Sequence, residues 1–378
     1  MKLEQTRWTG AHGWTPHTPG TLRDASLVLA FGSRDVLKRG DTLQELCAAY
    51  PHAQVLGSST SGEILGTEVT DESLVVTALR FDNSCSVAAR STIDSAEASF
   101  AVGERLAQSI PHDDLIHTIV FSDGSNVNGS ELVAGIATHL PPHVPLTGGL
   151  AGDSDRFEET YVIWDGVAEQ HTIVLLGLYG KNLRVGYGSL GGWDTFGAER
   201  RITRARGNIL YELDGQSALA LYKTYLGAHA QGLPATAFLF PLSIRTPDHP
   251  SGVVRTILAV NEADQSMTFA GDMPEGGYAR LMKANFGRLI DGAESAARTS
   301  YEAVGSVEPD FALLISCVGR KIILKQRVED EVEAVSQVLG THTALTGFYS
   351  YGEISPLTPG VQCELHNQTM SITALREV

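Results

Sequence analysis

Apolar runs and helix-patterned stretches follow one another along this chain in an order that recurs. Residues 26–34 read SLVLAFGSR, an apolar run rich in Val, Leu and Ala; TLQELCAAY follows with helical spacing, and AQVLGSSTSGEI (53–64) is a second run ending in G-x-x-x-x-G-E-I. The same plan returns near the end as FALLISCVGR (311–320), EDEVEAVSQVLG and TALTGFYSYGEI (343–354). The sequel repeats too, as SLVVTALR (73–80) in the first copy and TMSITALR (369–376) in the last. A looser middle copy reads LIHTIVFSDG, NGSELVAGIATHL and PLTGGLAGD (145–153), setting Gly148, Gly152 and Asp153 where the others have Gly, Gly and Glu.

Each copy is a strand, a helix and a second strand, which implies right-handed crossovers and partly parallel sheets. The expected fold class is α/β with α+β elaborations, built from repeated strand-helix-strand modules in mixed sheets, with the glycine loops of the copies gathered at one edge. The texture changes between the second and third copies. There HTIVLLGLYG, LRVGYGSLGGW and ERRITRARGNILYEL predict hairpins, and DGQSALALYKTYLG (214–227) predicts a helix with an acidic N-cap and a terminal Gly. VVRTILAVN and SMTFAGDMPEG predict a strand pair, and YARLMKANFGRLIDGAESAARTSYEAV a long helix with a break at Gly287 or Gly292. This change places a domain boundary near 206–214, giving an N-terminal extension at 1–25, a first domain at 26–210 and a second at 211–376.

Composition narrows the function. The chain carries 44 acidic against 28 basic residues, a net charge of −16, which disfavours nucleic acid and anionic membrane surfaces as partners. MKLEQTRWTG lacks an apolar signal core, and no run approaches the ~18–20 apolar residues of a membrane span, so no membrane insertion and a cytoplasmic location are expected. Cys47, Cys85, Cys317 and Cys363 lie far apart, without a C-x-x-C pair, and three of them sit in apolar segments that predict buried thiols.

The candidate chemistry lies in the glycine loops. Glycine at a strand end lets a ligand approach the backbone, whose N–H groups can hold a carboxylate, and a neighbouring acid can fix an amine. Gly57, Ser59, Gly62 and Glu63, Gly148, Gly149 and Asp153, and Gly347, Tyr351, Gly352 and Glu353 form a candidate shared small-molecule site on this reading; tight turns required by every copy are the other reading. Glu63 or Glu353 would be the general base if the protein were an enzyme, but P-loop, nucleophile-elbow and zincin motifs are missing, and no catalytic residue is expected. GYGSLG (186–191) matches a dinucleotide fingerprint formally, yet a poor helix follows it, so a hairpin turn is predicted. SDGSNVNGSELV (122–133) opens a helix whose N–H groups either hold an anion or are simply capped. Most histidines, among them His112, His143 and His249, stand in loops or beside proline, whereas His366 precedes Asn367, Gln368 and Thr369 at the polar start of an apolar strand. It either caps that strand by hydrogen bonding or faces a ligand or heme iron.

GSSTSGEI, LTGGLAGD, ILYELDGQSALALYKTYLG, GFYSYGEISP and HNQTMSITAL, in this order, resemble the successive signatures of the FIST (F-box and intracellular signal transduction) sensory proteins, over residues 26–376. The resemblance implies a two-part FIST N and FIST C architecture and a sensor of small molecules such as amino acids that reports to a separate signalling protein, such as a histidine kinase. CELHNQ and HNQTM are similar to the bacterial members that sense nitric oxide through heme. That subgroup would imply a noncovalent heme b on His366, with Asn367, Tyr351 and Glu353 near the pocket and Arg34, Arg320 and Lys321 either near the propionates or solvated on the surface.

Overall fold

The computed structural model describes residues 1–247, 250, 252–357, 360 and 362–378. Each module starts with a strand buried on both faces, Leu27–Gly32, Leu115–Ser122 or Phe311–Cys317. Leu27, Leu29 and Phe31 point into a core shared by all three modules, while Val28 and Ala30 pack under the helix of their own module. Burial on both sides is why these runs are continuously apolar rather than alternating.

Beside each first strand lies its parallel partner, Gln54–Ser59, Leu146–Leu150 or Ala344–Ser350. On its other side the return strand runs antiparallel: Ser73–Arg80, Thr172–Tyr179 or Met370–Glu377. An outer strand completes that edge: Lys2–Thr9, Cys85–Thr92 or Leu183–Leu190. The opposite edge is filled by a strand from a different module. Glu63–Leu65 of module one joins module three, Gly352–Ser355 of module three joins module two, and Val162–Trp164 of module two joins module one. The exchange is cyclic, so among the described residues the repeat closes into three sheets that share one six-strand order around a pseudo-threefold axis, the first carrying Gly13–Thr15 as a seventh strand.

The three exchanges share one device. Ile64 pairs with Gly347, Ile163 with Gly57 and Ile354 with Gly148. A Cβ on any of these glycines would strike the carbonyl oxygen of the adjoining first strand, at Leu314, Ala30 and Val120 respectively. The enclosed core is aromatic at its centre, with Phe31 4.8 Å from Phe348 and 5.6 Å from Phe121 between ring centroids. Helices form the outer layer, Asp41–Ala49 on module one, Ser99–Gln108 and Gly129–His139 on module two, and Phe286–Ala303 and Val328–Leu339 on module three. Within module three, Arg320 and Glu331 form a fully buried ion pair at 2.6 Å. Arg320, on the short helix Val318–Leu324, also donates to the Gly191 and Leu289 carbonyls, while Glu331 accepts from Ser316 and Tyr349, so this pair knits three helices and two strands together.

Segment 194–283 departs from the threefold plan, forming a separate antiparallel sheet over its own core before Asn285 caps the helix Phe286–Ala303. Several expectations change here. Residues 1–25 are no mere extension, because Lys2–Thr9 pairs along its whole length with Ser73–Arg80. HTIVLLGLYG and LRVGYGSLGGW do not pair as a hairpin; they are the return strand of module two and the outer strand of module three. GYGSLG therefore lies in a strand rather than a turn, and Gly186 and Gly188 leave room for the carbonyls of Ser300 and Ala296 in the overlying helix. Tyr278–Lys283 is a strand, and the helix after it runs unbroken through Gly287 and Gly292. Ser217 replaces Asp214 as the cap of Ala218–Leu226. The boundary expected at 206–214 falls inside the hairpin of Arg200–Arg206 and Ile209–Leu213. Cys317 alone among the cysteines is buried, Cys85 being exposed. Arg320 is wholly buried rather than solvated. His249 lies outside the described residues.

Cyclic exchange predicts that neither half folds alone. Fragments 1–216 and 217–378 expressed separately should lack dispersed amide NMR spectra and cooperative unfolding, and co-expression should yield a 1:1 complex with both. A dispersed spectrum from either fragment by itself would contradict the exchange.

Candidate functional site

The exchanged strands bring the three glycine loops to one end of the molecule and lock them together. Ser59 Oγ donates to the Gly152 carbonyl at 2.8 Å, and the Gly152 N–H donates back to the Ser59 carbonyl at 2.9 Å. The Ser61 N–H reaches the Tyr349 carbonyl at 2.8 Å, the Tyr349 N–H reaches Gly62 at 2.9 Å, and the Tyr351 N–H reaches Leu150 at 3.3 Å. These backbone groups satisfy one another across modules, which is the tight-turn reading of the loops.

Glu63 and Glu353 occupy matching latches. Glu63 accepts from Thr60 Oγ1 on one oxygen and from the Ser73 hydroxyl (2.7 Å) and N–H (3.1 Å) on the other. Glu353 accepts from Ser350 Oγ at 2.6 Å, and from the Thr369 hydroxyl (2.9 Å) and N–H (3.1 Å). Burial pushes Glu63 up to about 7 and Glu353 up to about 8, against the pull of these donors. The middle module differs from expectation. Since Ile163 faces Gly57, Val162 takes the place of Glu63, and Asp153 sits instead in the longer loop before it. The buried Asp153 binds Arg34 at 2.8 Å and Arg156 at 3.3 Å. The latch of this module is Asp123, which accepts from Thr160 Oγ1 and from the N–H groups of Ser125 and Asn126.

A cleft of about 410 Å³ opens beside these loops, with walls from all three modules: Ser33, Ser61 and Glu63 from the first, Arg156 from the second, and Val318 and Lys321 from the third. Asp71, Glu72, Asp155 and Lys325 also line it, so both charge signs are present. Lys321 Nζ donates to the Ser61 carbonyl at 2.8 Å and to Asp71. Ser33 Oγ is buried and has no hydrogen-bond partner among the described residues.

A model of the FIST N domain matches residues 26–216, and a model of the FIST C domain matches 218–356. The chain belongs to the FIST family. FIST domains are sensory domains of signal transduction, which fits a cleft assembled from several modules. Uncharacterized protein MJ1623 of Methanocaldococcus jannaschii is 24% identical over 327 residues, covering 79% of this chain and 61% of that protein. The FIST chain thus spans less than two thirds of that relative. A crystal structure of cyanuric acid hydrolase from A. caulinodans aligns over 100% of the chain and 98% of its own at 9% identity, with a TM-score of 0.39, too distant a likeness to bear on function.

The heme expectation meets a closed site. His366 is buried, and its Nε2 lies 2.8 Å from the Ser355 carbonyl oxygen. Asn367 Nδ2 donates to the His366 carbonyl, the Gln368 carbonyl accepts from Trp193 Nε1, and Thr369 serves the Glu353 latch, so the HNQT stretch finishes the turn into the return strand, while the buried Gln368 side-chain amide lies against Gly319 without a hydrogen-bond partner among the described residues. Arg320, a candidate propionate partner, is fully buried on Glu331. These residues do not fit an axial ligand and its heme. Tyr351, with its N–H on Leu150, stacks on Phe157 at 4.5 Å rather than lining a pocket with His366. The helix start at 122–133 is capped by Asn128, whose side chain accepts from Ser130 and Glu131. Sequence reading missed Ser33, which closes the first apolar run of module one, and Arg156, which lies outside the repeated segments; only the fold brings them together.

The latches make stability depend on pH. With ordinary carboxyl values near 4.5 in the unfolded chain and about 7 and 8 in the folded one, their contribution is complete at low pH and is lost as pH rises through this range. Glu353→Gln, which cannot ionise, should therefore gain stability relative to wild type by about 2–4 kcal/mol between pH 5 and 8 in urea unfolding. Parallel stability curves for the two proteins would show that Glu353 ionises normally.

Proposed function

We propose that this FIST protein is a cytoplasmic, non-enzymatic sensor of a small zwitterionic metabolite of the amino-acid class, which it binds in the three-module cleft and reports to a separate signalling protein such as a histidine kinase. The observation that carries this reading is the cleft's double charge over a shared floor. Lys321 and Arg156 suit a carboxylate, Asp71 and Asp155 suit an ammonium, and the unpartnered Ser33 hydroxyl offers one more directed bond. A ligand there touches every module, and because each sheet contains a strand of another module, a shift at the cleft is felt across the whole assembly. Both oxygens of Glu63 are already taken by Thr60 and Ser73, which favours binding over general-base catalysis. The nitric-oxide and heme branch draws no support from the surroundings of His366.

Thermal unfolding against a panel of the twenty amino acids and small diamines and diacids tests the reading. At one hundred times its dissociation constant, a ligand should stabilise the protein by ~2.7 kcal/mol. Lys321→Met and Ser33→Ala should lose at least half of that ligand-induced shift while unfolding cooperatively. A panel with no stabilising member, or variants that respond like wild type, would overturn the proposal.

A further inference from the structure

A second cavity, of about 290 Å³, lies where two departures from the threefold plan meet. One is the inserted sheet, which contributes Asn208, Leu258, Phe269 and Asp272; the other is the loop between Leu146–Leu150 and Val162–Trp164, which contributes Phe157. In the other two modules the matching connection is only a few residues long, Thr60 to Gly62 and Tyr351. Phe157 is held with φ of 54°, a left-handed conformation unfavourable to a bulky side chain. Its N–H donates to Tyr351 Oη at 3.1 Å, and its ring stacks on Tyr351 at 4.5 Å and 17° and on Phe238 at 6.3 Å and 19°. Phe157 nevertheless remains 42% exposed. The lining thus offers aromatic and aliphatic surface from both sides of a seam between two cores, a preferred location for small ligands.

Its charge is one-sided. Asp272 is the charged side chain lining this cavity. Among the described residues its carboxylate accepts only from Asn128 Nδ2, at 3.4 and 3.5 Å, the weak edge of the hydrogen-bond range. Asn128 Oδ1 is occupied in capping its helix. Behind the carboxylate, the buried Arg255 guanidinium donates through Nε to the Asp272 backbone carbonyl at 3.4 Å and through Nη1 to the Leu365 carbonyl at 3.0 Å, so no hydrogen bond from it reaches the Asp272 carboxylate among the described residues.

We propose that this seam is a binding site for a small aromatic amine, with the ring against Phe157 and Tyr351 and the ammonium group on Asp272. An ammonium supplies the strong donor that the Asp272 carboxylate lacks, while the cavity volume admits a single ring with a short side chain. This site shares no lining residue with the three-module cleft and does not rest on the sensory reading of that cleft.

The test is calorimetric titration of the full chain with 2-phenylethylamine, 2-phenylethanol and phenylacetate at fixed pH and salt. The amine should bind saturably, ~10-fold or more tightly than the alcohol, and phenylacetate more weakly still. Asp272→Asn, close in shape to the native residue, should erase the preference for amine over alcohol, and Phe157→Leu should weaken all ring ligands that bind. No saturable amine binding, equal affinity for amine and alcohol, tighter binding of phenylacetate, or an unchanged preference in the Asp272→Asn protein would each overturn the proposal. The ligand comparison on wild-type protein decides the matter even if a variant does not fold.

Discussion

Each crossing of a strand from one module into the next takes place over a glycine that has no room for a side chain. Gly57, Gly148 and Gly347 press against the carbonyls of their first strands while an isoleucine of the incoming strand pairs on the other side. Gly57 and Gly148 also hold φ of 153° and 146°, which a side chain would strain. Because the three crossings form a ring, the constraint at one is transmitted to all. The shared aromatic core exists only once the ring is closed, so packing and topology reinforce each other.

The crossings are held by buried polar groups rather than by apolar packing alone. Glu63, Asp123 and Glu353 each gather a loop by accepting from nearby hydroxyls and backbone amides. Two of these acids sit so deep that burial raises them toward neutrality, and a neutral carboxyl still forms hydrogen bonds without the cost of a buried charge. Arg320 and Glu331 are a different solution, a charge pair itself fixed by carbonyls and hydroxyls on one helix, two strands and the loop at Gly191. Polar groups of this sort specify one register for the loops, since a shift of one residue would strand each of them without a partner.

Much of this was legible in the chain because local pattern and tertiary role agree. The first strands read as strands, being buried on both faces, and the repeat announced the modules through G-x-x-x-x-G-E-I. Where the reading failed, nonlocal pairing decided the outcome. GYGSLG resembles a turn by composition, yet its glycines make a smooth bed for the helix Phe286–Ala303. Asp153 follows a glycine much as Glu63 does, though one residue nearer to Gly148 than Glu63 is to Gly57, but a longer loop moves it to Arg34 and puts Val162 at the crossing. His366 looked poised for a ligand because polar residues crowd round it; His366, Asn367 and Thr369 are occupied in closing the turn before Met370–Glu377. The cleft residues Ser33, Arg156 and Lys321 come from three modules, and no window of sequence contains them together.

The threefold plan also bears on where ligand sites arise. Equivalent surfaces repeated three times would give three equivalent sites, yet the inserted sheet and the long loop of module two occur once each. The seam cavity lies between these single additions, and the charged cleft takes its Arg156 from the same loop. Loop 151–161 therefore borders both cavities, with Arg156 facing one and the neighbouring Phe157 facing the other. Arg156 and Phe157 are adjacent, so the two cavities are separated by a single peptide unit of a loop whose backbone is left-handed at Phe157.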